Sequence, residues 1–358
     1  MSSQKPTMKD VAERAGVSIT AVSYALRGQP GIPEETAERI RTIATQIGYT
    51  KHPFVSALMQ NIRAGRKMMA PPVIAYVSSY ARRSYWITSA VQRGYFEGAR
   101  ARCEELGYAF ALYELSRYGM SGPRLSRAMK YANVCGVLAG PVPNPGTSLD
   151  LDWDAFSCVA FGYSMNQPPI HRVTVNHWQS IGLALQRLAE MGYERIATGT
   201  TSNASRRIGG TFMAGVDAYN REAPRSRRIP ILTGVPRTAA GMRRWLEKHR
   251  PDVFLEQAPY QYLKAITAAG LRIPEELACA TMSWHASIPH LAGIHQNSFD
   301  IGKTAVDVLV SQVHDNRRGI PKLPTFTLVD GSWVDGPSVP WKTGAKELTA
   351  PPHAAGSN

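Results

Sequence analysis

The chain has 358 residues, too many for one small domain and enough for a small module joined to one or two larger ones with cores of their own. Its formal charge is +14, an excess of Lys and Arg that suits polyanionic partners through counterion release, and ten basic against five acidic residues in the first seventy show that the excess runs along the chain. No apolar run reaches the length of a membrane span, MSSQKPTMKD carries no apolar signal core, and Cys103, Cys135, Cys158 and Cys279 form no Cys-x-x-Cys or Cys/His cluster, so a cytoplasmic protein without membrane partner, metal site or cofactor is expected.

The first element is a helix from Met8, opened by a T-x-x-D capping box in which Thr7 caps the Asp10 amide. Val11, Ala12 and Ala15 give it a small apolar face, and Gly16 permits the sharp exit. Val17 plugs the turn and Ser18 is the N-cap of a second helix, Ile19 to Leu26. Two short helices joined by a glycine turn form a helix-turn-helix. Val22, Ala25 and Leu26 face inward on the second helix, which leaves Ser18, Ile19, Thr20, Ser23 and Tyr24 to touch base edges in a major groove. Pro33 starts a third, supporting helix that runs through Ile40, Ile43 and Ile47 to a cap at Gly48.

The run MKDVAERAGVSITAVSYALRGQPGIPEETAERIRTIATQIGY resembles the headpiece of the lactose-repressor/galactose-repressor (LacI/GalR) family. Its markers are D-V-A-x-x-A-G-V-S, then Ala21-Val22-Ser23, a Leu-x-Gly close and a terminal Gly-Tyr. The resemblance implies base readout by Ser18, Ile19, Thr20, Ser23 and Tyr24, with Lys9, Arg27, Thr36, Tyr49 and His52 on or near the DNA backbone. Many members carry Arg where this chain has Tyr24, and a phenol cannot make a bidentate guanine contact.

Residues 51-71 follow as hinge and linker. The family has a short hinge helix here that pairs with its dimer mate and wedges a leucine pair into the minor groove. By that resemblance Leu58 is the wedge and Val55 the contact one turn earlier, with an ordinary linker as the other reading.

From residue 72 to 341, strand-like runs alternate with helical ones: 73–79, 110–115, 134–140, 157–162 and 171–176, then 195–200, 229–234, 252–257 and 277–282. Helices are expected at 89–108, 178–193, Ser205–Tyr219, Ala239–His249 and 296–313, with a late strand over 324–335 crossing back. The alternation predicts two α/β lobes with parallel sheets, behind an all-α headpiece at 1–50. This part resembles the periplasmic-binding-protein-like sensor of the same family through Met191-Gly192-Tyr193-x-Arg195-Ile196 and Arg206-x-x-Gly209. Residues 342–358, rich in Pro, Ala, Gly and Ser, read as a disordered tail.

An effector site is expected where strand ends face a cleft between the lobes. The resemblance puts Arg206 there, in the place of an arginine that holds a ligand hydroxyl or carboxylate. Members often carry Asn-Asp at Leu255-Glu256 and Gly-Phe/Tyr-Asp-Asp at Thr281–Trp284, so both sugar-clasping phrases are altered. Glu256 is left to supply a carboxylate, Ser283 replaces another, Trp284 or His285 could stack on a ring, and Tyr80 and Trp86 are candidates from the first lobe.

The function expected is a regulator, a repressor by type, that binds a pseudo-palindromic operator in double-stranded DNA as a homodimer and answers to a small-molecule effector, a sugar or another metabolite. A regulator with an empty or non-sugar pocket is the alternative. A solute-binding protein would lack the helix-turn-helix. An enzyme would need a nucleophile elbow, Walker loop or dinucleotide fingerprint that the chain does not contain, so no catalytic residue is assigned.

Overall fold

The computed structural model describes residues 8–26, 31–47, 71–81, 88–257 and 260–343. Two compact units emerge, residues 1–70 and 71–358. In the first, α1 (Met8–Ala15), α2 (Ile19–Ala25) and α3 (Glu34–Gln46) pack around Val11, Val22 and Ile40, each fully buried. Gly16 takes φ +64° between the first two helices, and the Val17 amide donates to the Ala12 carbonyl at 3.1 Å to close the turn. Among the described residues eight small or branched side chains are the buried core, with Met8, Val17, Leu26, Ile32, Ile43 and Ile47 packed around it, so each one counts heavily.

The second unit runs β1 (Val73–Ser78), α4 (Ala90–Glu105), β2 (Ala109–Glu114), α5 (Gly122–Tyr131), β3 (Val134–Ala139), β4 (Ser157–Phe161) and β5 (His171–Val175). It continues as α6 (His177–Glu190), β6 (Ile196–Thr200), α7 (Ser202–Arg207), α8 (Thr211–Glu222), β7 (Ile231–Thr233), α9 (Ala239–His249), β8 (Val253–Glu256) and α10 (Gln261–Ala268). β9 (Ala278–Trp284), β10 (Ala292–His295), α11 (Ser298–His314), β11 (Phe326–Val329) and β12 (Ser332–Val334) complete it. Among the described residues no helix is long and apolar enough to cross a membrane.

The strands form two six-stranded sheets, ordered β11-β5-β4-β3-β1-β2 and β12-β10-β9-β8-β6-β7. All pairings are parallel except β10 with β12. Each sheet is covered on both faces, which is why its central strands read as unbroken apolar runs. In β1, Ile74 and Tyr76 enter the core under α4 and α11, while Ala75 and Val77 enter the core under α5. In the second lobe Leu255 packs with α6 and α8, and its neighbour Phe254 with α9 and α10.

The chain passes between lobes three times: at Asn176, at Gln296-Asn297 and at Asp330-Gly331. These crossings are stitched together, because Asn176 Nδ2 donates to Asp330 Oδ1 and Asn297 Nδ2 to the Asp330 carbonyl, both at 2.8 Å. The stretch expected as one late strand is therefore two, one in each sheet. The expected helix 205–219 is likewise two, broken where Gly209 and Gly210 hold φ of +64° and +73°. Lys342, expected in the tail, is tied to the second lobe: its ammonium sits 2.7 Å from Asp252 Oδ2 and its amide donates to the Met191 carbonyl. The rest of that tail, from 344, and hinge residues 51–70 with Val55 and Leu58, lie outside the described residues.

Candidate functional site

In the first unit the outward side of α2 is the candidate surface. Ser18 is extended (φ −70°, ψ 154°) and its Oγ accepts from the Ala21 amide at 3.1 Å, which fixes where the helix starts and aims its first turn outward. Ser18, Ile19, Thr20 and Tyr24 are exposed, Ile19 by 49 % and Tyr24 by 37 %. An isoleucine and a tyrosine bared on a seven-residue helix add nothing to the headpiece core, and a surface of that kind suits a partner. Ser23 does not share this face: one position after Val22, it is held at 3 % exposure, which corrects the expectation that it reads bases. Thr36 is half-buried in the first turn of α3, and Lys9 lies in α1. Arg27, Tyr49 and His52 fall outside the described residues. Two arginines not singled out from sequence close the helix ends. Arg39 Nη2 donates to the Ala15 carbonyl and Arg41 Nε to the Ala25 carbonyl, each at 3.4 Å, placing cations at the negative ends of α1 and α2.

In the second unit a cavity of about 170 Å³ opens between the lobes at the carboxyl ends of the strands. That is the scale of an engineered cavity of about 150 Å³ that takes benzene. Of the adjoining arginines, Arg207 enters the cavity wall and Arg206 stays on the exposed face, since neighbours 100° apart on one turn cannot both point inward. Arg207 belongs to α7 in the second lobe, yet its three hydrogen bonds go to the first. Nη1 donates to the carbonyls of Val142 (3.1 Å) and Pro143 (2.9 Å), and Nη2 donates to Tyr80 Oη (2.9 Å). Tyr80 also accepts from Gln92 Nε2 at 3.1 Å. The expected cleft role of Tyr80 thus becomes contact with the wall through Arg207 and Gln92.

Glu256 does not face the cavity. At the end of β8 it is fully buried, and its oxygens accept from the amides of Tyr260 and Leu263, the latter at 2.8 Å, so the carboxylate is spent on the start of α10. Burial nevertheless pushes its pKa up to about 7, against the lowering effect of those amides. Ser283 does line the cavity, and its Oγ accepts from Gln296 Nε2 at 3.0 Å. Trp284 and His285 do not. Trp284 stands edge-on to His295 with centroids 5.6 Å apart, and His285 stands edge-on to Tyr260 at 5.8 Å with Nδ1 2.6 Å from Ser287 Oγ. Trp86 lies outside the described residues.

Sequence reading missed His177, the first residue of α6. It lines the cavity at 9 % exposure, and burial holds its imidazole neutral by lowering the pKa to about 4. A histidine two residues past the carboxyl end of β5 was the available signal. Gln257, which follows β8, also lines the cavity, its Oε1 accepting from Thr200 Oγ1. The apolar wall comes from Val91, Tyr95, Pro141, Ile208, Phe212 and Met282. Among the described residues no cluster of His, Cys, Asp or Glu is arranged to hold a metal.

Comparison with known proteins agrees with both units. Residues 7–52 match the model of "Bacterial regulatory proteins, lacI family", and residues 185–332 that of "Periplasmic binding protein-like domain". The lactose operon repressor of Escherichia coli (strain K12) is 23 % identical over 326 residues, covering 85 % of this chain and 84 % of its own. The HTH-type transcriptional repressor PurR of Erwinia tasmaniensis is 25 % identical over 346 residues, covering 92 % and 98 %. Among solved structures, a transcriptional regulator CelR-cellobiose complex superposes with a TM-score of 0.54 at 20 % identity, over 93 % of this chain and 99 % of the other. With the helix-turn-helix and the paired parallel sheets both in place, the first unit matches the lacI family of bacterial regulatory proteins, and the second carries a match to a periplasmic-binding-protein-like domain.

Proposed function

We propose that this DNA-binding regulator represses transcription as a homodimer on a two-fold symmetric operator, with α2 laid in the major groove of each half-site. The observation that carries the reading is the bared face of α2, where Ile19, Thr20 and Tyr24 stand out from a headpiece whose own core is complete without them. Thr20 and Ile19 are suited to thymine methyls, and Tyr24 to a base edge or a phosphate. Lys9 and Thr36 would fix register on the backbone, together with Arg27, Tyr49 and His52. Leu58 and Val55 would enter the minor groove between the half-sites, a role supported by resemblance to the family. The protein works by binding, not catalysis.

The cleft between the lobes is the effector site in this reading. Arg207 bonds across it, so an occupant changes the free energy of one lobe arrangement relative to another, and operator affinity follows. Selection from a random duplex library with the full chain tests the operator half. A two-fold symmetric motif is expected, and Thr20→Ala and Tyr24→Ala should weaken it at matching positions of both halves. An asymmetric motif, or one unmoved by both substitutions, would remove α2 from readout.

A further inference from the structure

We propose that the cleft takes a small organic acid, one carboxylate on an apolar body, rather than a neutral polyhydroxylated sugar. This rests on the reading of the cleft as the effector site and names what enters it.

A sugar offers many hydroxyl donors and needs carboxylate acceptors to bind them strongly. No aspartate or glutamate lines this cavity. The two segments of the second unit outside the described residues, 82–87 and 258–259, contain none in their sequence. Glu256, the nearest acid in the chain to the lining residue Gln257, is engaged by the Tyr260 and Leu263 amides. What the cleft holds in surplus is donors. Three of Arg207's bonds are made, so of the five guanidinium N–H groups Nε–H and a second Nη2–H have no acceptor among the described residues. Tyr80, which stands behind the lining, accepts at Oη from Arg207 Nη2 and Gln92 Nε2 and so fixes the direction of the guanidinium. His177, nine-tenths buried in the cavity wall, has no hydrogen-bond partner among the described residues, and its neutral ring can donate or accept.

Charge points the same way. Among the described residues Arg207 is the one charged residue of the lining, and no carboxylate of theirs lies within 4.0 Å of it. A half-buried cation without counter-ion favours a ligand carrying one negative charge. Val91, Phe212 and Met282 then enclose the remainder, and the volume of about 170 Å³ limits it to a few carbons or one ring.

The test uses the full-length chain and matched probes: phenylacetate beside 2-phenylethanol, isovalerate beside 3-methylbutan-1-ol, and glucose. Thermal shift and isothermal titration are expected to detect the acids and neither the alcohols nor the sugar. Arg207→Met should weaken acid binding by about tenfold or more, the loss of charge-assisted hydrogen bonds. Tyr80→Phe should weaken it less, in a chain whose cleft arginine is kept. Glucose binding with the acids inert, acid binding indifferent to both substitutions, or no binding by any probe each overturns the proposal. Ser283→Trp separates the two layers of the argument. It fills the cavity, so any probe that still binds occupies another place, and the reading of the cleft then fails with it.

Discussion

His177 and Glu256 oppose each other in acid, and their contest can be measured. His177 is held near 4 from an ordinary 6.5, so its unfolded form takes up the proton first; the stability it contributes is complete above 6.5 and is lost as pH falls toward 4. Glu256 is raised from 4.5 to about 7, so its native form keeps the proton longer; its contribution is complete below 4.5 and is lost as pH rises through 7. Taking about 1.4 kcal/mol for each pH step between folded and unfolded values, a move from pH 7.5 to 5 costs about 2 kcal/mol through His177 and returns about 2 kcal/mol through Glu256. The two nearly cancel in the parent chain. Removing either should expose the other: His177→Phe gains about 2 kcal/mol relative to the parent on going to pH 5, and Glu256→Gln loses about as much. At about 2 °C per kcal/mol for a unit of this size, each difference is about 4 °C in the melting of the sensor. The comparison is a difference of differences between variant and parent, so every other titrating group drops out. Equal pH slopes in all three chains would refute the burial argument for both residues.

The headpiece and the helix pairing allow three more tests. Ile40→Ala should cost about 2–5 kcal/mol, enough to unfold a module with a core this small; hydrogen exchange over 8–47 in the full chain should rise while the sensor melt is unchanged. Tyr24→Arg should draw guanine into one symmetric pair of operator positions, read by library selection, and an unaltered motif would assign Tyr24 to the backbone. Gly98→Ala would set a methyl 1.9 Å from the Phe299 carbonyl oxygen, where α4 and α11 touch backbone to backbone, so a loss of about 1–3 kcal/mol in sensor melting is expected.

Local rules were legible in the sequence wherever one short stretch settles its own structure. Gly16 ends α1 by its positive φ and Ser18 starts α2 by capping, and the buried strands β1, β3 and β4 announce themselves as apolar runs. β10, four residues containing a glycine, and α5, opened by Gly122-Pro123, fell below that signal because their burial comes from partners distant in the chain. The late strand reads as one in the sequence because its apolar alternation continues through Asp330-Gly331, and only the pairing of Phe326–Val329 with β5 and Ser332–Val334 with β10 divides it. In the cleft the difficulty was direction. Arg206 and Arg207 are chemically identical neighbours, and which one turns inward depends on where α7 ends at the Gly209-Gly210 break. Glu256 reads as a ligand carboxylate in the sequence, and only the hydrogen bond it accepts from the distant Leu263 amide turns it toward α10.

Magnitudes decide whether a single arginine can matter to a molecule of this size. Its three bonds to the first lobe come from a charged guanidinium, a kind that contributes about 1.5–3 kcal/mol each when buried and less at a half-exposed site, so the bridge amounts to a few kcal/mol. Allosteric coupling between sites usually requires about 1–3 kcal/mol. At the other side the lobes are already joined by Asn176, Asn297 and Asp330, whose mutual hydrogen bonds hold the three crossings together and restrict relative motion to pivoting about them. A pivot needs a contact away from its axis to register its angle, and the Arg207 bridge to Val142, Pro143 and Tyr80 is such a contact. An acid that takes up the free guanidinium edge either draws Arg207 off those carbonyls or adds a second set of bonds alongside them. In both cases the free energy at stake matches what the switch requires, so cleft occupancy can bias the lobe angle without help from any larger rearrangement.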